Sequence, residues 1–178
     1  MKSIKAPLYG LAMVVMLLGA PAFARAQSPT ATNMSPEQFT KQTAITNMAE
    51  VQLGLMAETK ASSPQVKAFA QRMVRDHEAM QSSLQDAARL AGTTMPDTID
   101  PKQMALKNEL AAKSGSSFDK AYIDAMVKGH RQAMQMLEGA SQDLSNNALK
   151  KVAASALPIV QSHLKEAEQI AQRLRSGP

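Results

Sequence analysis

The 178-residue chain contains no cysteine and no tryptophan, and aromatic residues make up only 3% of it. Without cysteine there can be no disulfide framework, so stability has to come from a packed core. Beyond residue 26 the aromatics are Phe39, Phe69, Phe118 and Tyr122, too few to build a base-stacking platform. A block of one charge sign is also missing: Lys and Arg alternate with Asp and Glu, the pattern of a mixed solvated surface. Nucleic acid is therefore not expected as a partner. No nucleophile–base motif, Gly-rich phosphate loop or paired acid/base carboxylates stand out, which places a binding or structural role ahead of catalysis. The longest apolar run, LYGLAMVVMLLGA, is about 13 residues, short of the ~20 that a spanning helix needs.

That run has a different meaning. Lys2 and Lys5 precede it, and Ala22-Phe23-Ala24, overlapped by Ala24-Arg25-Ala26, follows it. A basic segment, a short apolar stretch and a small-residue site describe a secretory signal peptide over residues 1–26, cleaved after Ala24 or Ala26. No cysteine follows that would carry a lipid anchor. The mature protein is expected in the periplasm of a Gram-negative envelope, with secretion or outer-membrane association as alternatives, and not as a transmembrane protein. Losing Lys2, Lys5 and Arg25 lowers the formal net charge from +5 to +2, so the high pI belongs partly to the leader.

The rest is rich in Ala, Met, Leu, Gln, Lys and Glu, a helix-forming composition. Residues 27–35 read as a flexible leader and 36–175 as one helical domain, long enough for a single core. Ser35-Pro36 starts a helix that runs to about Ala61. Ser62-Ser63-Pro64 repeats the signal for a second helix, which ends at Gly92. A looser stretch from Gly92 to Ser117 holds a short helix over 101–112. A third long helix is expected to start at Ser117 and a fourth to occupy roughly 147–174, with Pro158 kinking it. Two tight turns and one long crossover between four helices make an all-α, ferritin-like four-helix bundle.

Written as heptads, these helices present inward seams. The second carries Met73, His77, Met80 and Leu84, the third Ile123, Met126, His130 and Leu137. The fourth carries Leu149, Val152, Ala156, Ile159, His163, Ala167 and Ile170. All three histidines of the chain thus occupy core-facing positions, one per helix. On the first helix the register that turns Phe39, Leu53 and Ala57 inward brings Glu50 with them. At ~1.5 Å per residue, Glu50 and His77 lie about 19 and 22 Å from the first turn, and His130 about 21 Å from the second. His163, at about 28 Å, falls one to two turns off that level. Asp124 and Glu166 are secondary carboxylates.

Buried neutral imidazoles need partners, at a cost of roughly 1–3 kcal/mol for each left without one. Two readings follow. His77, His130, His163 and Glu50 could hold one transition-metal ion (Zn, Cu or Fe), or the histidines could form a structural network such as His77–Glu50. Met73, Met80, Met126 and Met134, which flank two of the histidines, are read as core filling. Tyr122, about two turns before His130, is expected at the seam edge with its hydroxyl at the surface.

The runs AEVQLGLMAETKASSPQVKAFAQRMVRDHEAM, FDKAYIDAMVKGHRQAM and LKKVAASALPIVQSHLKEAEQI resemble the exported bacterial family called domain of unknown function 4142. Its markers here are Asp76-His77, Phe118-Asp119 and Tyr122 with His130, and Leu157-Pro158 followed by His163, and the likeness spans roughly residues 36–174. The resemblance implies a ferritin-like bundle behind a signal peptide and implies no activity. The wider ferritin-like group sets a Glu three residues before its histidines, where this chain has Val74, Val127 and Val160. A mononuclear site fits that inventory better than a carboxylate-bridged di-iron centre. An envelope protein or a second copy of the chain is the partner expected, in metal handling or envelope stress.

Overall fold

The computed structural model describes residues 34–176; the expected signal peptide and most of the leader lie outside the described residues. Five helices follow one another: α1 Pro36–Lys60, α2 Pro64–Ala91, α3 Pro101–Ala111, α4 Gly115–Asp143 and α5 Asn147–Ser176. There is no strand among the described residues. The bundle is all-α, with α1, α2, α4 and α5 as its long members and α3 inside the crossover.

Local chemistry sets the boundaries. Ser35 caps α1 through a reciprocal pair with Gln38, ahead of Pro36. Ser63 and Asp100 cap α2 and α3, each followed by proline. Gly92 ends α2 at φ 69°, a left-handed conformation that other residues adopt only with strain. The third long helix begins at Gly115 rather than Ser117. The Ser117 hydroxyl donates to the Ser114 carbonyl and does not cap the helix. Pro158 sits inside α5, which runs unbroken to Ser176.

The crossover climbs alongside α1. Thr93 meets Thr40 near the start of α1, Lys107 reaches Gln52 further along, and Lys60 donates to the Lys113 carbonyl at its end. Consequently α4 starts at the α1/α2 turn and runs parallel to α2, the ferritin-like order. Buried Asp119 fastens that junction by accepting from the backbone N–H groups of Ser62 and Ser63. α1 and α2 approach closely at Gly54, where a Cβ would stand 2.7 Å from Val74 Cγ2 and 3.1 Å from the Ala70 carbonyl oxygen.

Two apolar clusters fill the interior. One, at the α1/α2 turn, gathers Leu53, Phe69, Phe118, Tyr122 and Ile170; the other, toward the α4/α5 turn, gathers Phe39, Leu84, Leu137, Leu149 and Val160. On α5 the inward series is Leu149, Ala153, Ala156, Val160, His163, Ala167 and Ile170. The expected Val152 and Ile159 are half-buried, because a strict four-three alternation counted from Leu149 selects their neighbours instead. Between the clusters lies a polar layer. No helix among the described residues is long and apolar enough to cross a membrane.

Candidate metal centre

The layer is formed by Asn47 and Glu50 of α1, His77 of α2, His130 of α4 and His163 of α5, all buried. The three imidazoles form a near-equilateral triangle, with ring centroids 5.8 Å (His77–His130), 5.5 Å (His77–His163) and 5.5 Å (His130–His163) apart. One ring nitrogen from each lies within 4.8 Å of the other two. Among the described residues this is the one group of three metal-ligating side chains so arranged.

His163 stands level with the others, contrary to the height count along the helices. From Asp143 back to His130 and from Asn147 forward to His163, the two distances differ by less than one helical turn of ~5.4 Å. Side chains lean toward the N-terminus of their own helix. His163 therefore leans down α5 toward the α4/α5 turn, while His130 leans up α4 away from it, and the remainder closes.

Each ring is held by a partner on its outer side. His77 Nδ1 donates to Asn47 Oδ1 at 3.0 Å, His130 Nδ1 to the Met126 carbonyl at 2.8 Å, and His163 Nε2 to Asp76 Oδ2 at 2.7 Å. All three partners are acceptors, so each of these nitrogens carries the proton of a neutral ring. The other nitrogens, His77 Nε2, His130 Nε2 and His163 Nδ1, are buried without a protein partner. Three lone pairs are thus buried in one layer, each without a donor from the protein. A cation accepts all three at once, and histidines oriented through their far nitrogen are the usual supports of a metal.

Electrostatics agrees. Burial, reinforced by the neighbouring rings, pushes His77 well below the ordinary imidazole range and His130 down to about 4. Burial also lowers His163, against the opposing pull of Asp76. Burial works to raise Asp76, but its hydrogen bonds from His163 and Arg72 prevail and hold it low. With His163 neutral, Arg72 is the lasting cation there: it pairs with Asp76 at 3.3 Å and with Glu166 at 2.9 Å, and it donates to Ser162. Neutral rings and an ionised supporting carboxylate are the protonation states a metal site requires.

The other expected site residues fare differently. Glu50 is buried in the layer, with Oε1 3.5 Å from where a Cβ on Gly129 would sit and Oε2 unpartnered, and burial raises its carboxyl to about 8. It does not join the three-histidine group. The expected His77–Glu50 bond is replaced by His77–Asn47, because Asn47 and His77 lie at matching distances on either side of Ser62 and so at one height. Asp124 is half-exposed, with Arg175 as its neighbour 3.8 Å away. Glu166 sits at the rim on Arg72, one residue removed from Asp76 and the histidines. Tyr122 is fully buried, its hydroxyl unpartnered and its pKa pushed well up by burial and then by Glu50 and Glu58. The ring stacks on Phe118 and meets Phe69 edge-on, which draws it inward from the seam edge.

Asn47 and Asp76 were not among the expected site residues. Asn47 lies one turn before Glu50 on the same face, and Asp76 adjoins His77 but points to α5.

A family model described as Domain of unknown function (DUF4142) matches residues 21–170. No curated protein and no solved structure matches the chain.

Proposed function

The chain belongs to the DUF4142 family, whose description assigns no activity, and from the geometry of the histidine layer we propose that it is a metal-binding protein. His77, His130 and His163 are the ligands, and a single transition-metal ion of the kind imidazole favours, Zn, Cu or Fe, is the cofactor. One observation carries this reading: three buried histidines offer ring nitrogens within 4.8 Å of one another, and each ring keeps one buried nitrogen without a protein partner while an acceptor holds the other. Glu50 is the carboxylate available to offset the charge of the ion, being buried in the same layer and otherwise unpaired. The signal-like N-terminus supports placing the protein in the periplasm, where it would serve metal handling or envelope stress, alone, as a homodimer or with another envelope protein.

A second reading has its own observation. The bonds His77–Asn47 and His163–Asp76 tie α2 to α1 and to α5, and could serve simply to fix helix register. Elemental analysis of mature, untagged protein purified from periplasm separates the two. About one equivalent of Zn, Cu or Fe, lost in His77→Ala, is the expected result; metal-free protein that also fails to take up any of the three in vitro supports the structural reading instead.

A further inference from the structure

Below the histidine layer, a cavity of about 30 Å³ opens against the ring of His77. Its walls are Met80 of α2, Ala133 of α4, and Ala156 and Val160 of α5, with Thr43 and Asn47 on the α1 side. One water needs roughly 10–15 Å³, so the space suits a molecule of about two or three heavy atoms. Thr43 is nine-tenths buried, and its hydroxyl has no partner in the protein. Such a group, on a wall otherwise largely apolar, marks where a guest would accept a hydrogen bond. The half-buried Thr46, Met136 and Val152 also line the cavity.

The polar residues are arranged to match. Along one face of α1, Thr43, Asn47 and Glu50 succeed one another at helical spacing. Asn47 is engaged in holding His77, while the Thr43 hydroxyl bonds to nothing else in the protein. A three-histidine centre fills only three positions of a tetrahedral ion and leaves one for an outside ligand. A surface groove beside Arg131 and Arg175 lies on the outer face of α4 and α5 and is lined by opposed charges. The cavity below His77, by contrast, is lined by a residue of the centre itself.

We propose that this cavity binds a small uncharged molecule of the diatomic class, such as dioxygen or nitric oxide, and delivers it to the metal centre past His77, with Thr43 Oγ1 donating to it. The charge-free walls admit such a guest and reject a hydrated ion. The delivery step rests on the metal reading, but the cavity does not, and the tests keep the two apart.

In metal-free protein, xenon under pressure is expected to shift the methyl resonances of Met80, Ala133, Ala156 and Val160 saturably, and to lose that effect in Ala133→Val and Ala156→Val. In protein loaded with Fe(II), nitric oxide is expected to give a half-integer-spin adduct by EPR. Its formation should slow at least tenfold in both filled variants, with iron stoichiometry and helical content unchanged. Thr43→Val should keep the xenon shifts and weaken the adduct several-fold. Xenon silence at those methyls overturns the proposal, as does an adduct forming equally fast in both filled variants. Failure to bind iron at all would count against the metal reading, and the xenon measurement would still decide whether the cavity takes an uncharged guest.

Discussion

At the scale of single residues, the centre depends as much on what stands behind the imidazoles as on the imidazoles. His77→Ala or His130→Ala removes one of the three proposed ligands and is expected to abolish stoichiometric metal uptake. Asn47→Ala and Asp76→Ala leave the three histidines in place but release the tautomer and orientation of His77 and His163. Affinity should fall by about 10–100-fold, read by competition with a chromophoric chelator. An unchanged affinity in both would mean that the rings are oriented by packing alone. The histidines themselves were legible from spacing, since a polar residue recurring on an apolar stripe shows in any heptad count. Asn47 and Asp76 were not: an amide or carboxylate near a helix seam has no periodic signature, and its role exists only once two helices are set side by side. Burial of Tyr122 was missed for a related reason, since its stacking on Phe118 and Phe69 is tertiary.

At the scale of helices, two junctions set how the elements meet. Asp119 accepts two backbone N–H groups of the α1/α2 turn in a buried setting. Asp119→Ala strands those donors and should destabilise the fold by about 2–3 kcal/mol in urea denaturation. Asp86→Ala, which removes an exposed pair with Arg89, should stay within ~0.5 kcal/mol. Gly54 gives a second test. A methyl there enters the space of Val74 and the Ala70 carbonyl, so Gly54→Ala should cost about 1–3 kcal/mol despite its better helix propensity. Val74→Ala in the same chain should recover part of that loss, and strict additivity of the two changes would show that the helices do not clash there. Helix number, order and the long crossover were readable from caps, prolines and glycine. Less readable were the start of α4 at Gly115 and the inward register of α5, each of which turns on a shift of one or two residues.

For the whole molecule, the buried layer predicts how stability follows pH in the metal-free state. The histidines are neutral when folded and their pKa values are depressed, so their contribution is intact above the unfolded value of ~6.5. It is lost as pH falls from there toward about 4, where folded His130 itself takes a proton. Glu50 acts in the opposite sense. Its folded pKa, raised to about 8, makes its contribution greatest below ~4.5 and progressively lost as pH rises toward 8. Chemical denaturation in the presence of a chelator should therefore show a maximum near neutrality. The acid limb should be the steeper, and the alkaline limb should have a slope of up to about 1.4 kcal/mol per pH unit. Glu50→Gln is expected to flatten the alkaline limb and to steepen the acid limb between ~4.5 and ~6.5, where Glu50 opposes the histidines; an alkaline limb that persists in the variant would assign it to another group.

The distribution of the three histidines has a kinetic consequence. α1 and α2 form one hairpin and α4 and α5 another, each held by contacts near in sequence, whereas His77 belongs to the first and His130 and His163 to the second. Neither hairpin can assemble the triangle by itself. Pairing within a hairpin closes short loops, while joining the two must wait for the crossover to be drawn up along α1, the costlier closure. The triangle is thus expected to be completed only when the two hairpins join, and to be undone as soon as they part. A ligand ion would act as a clasp between two preformed halves, slowing their separation far more than it hastens their meeting.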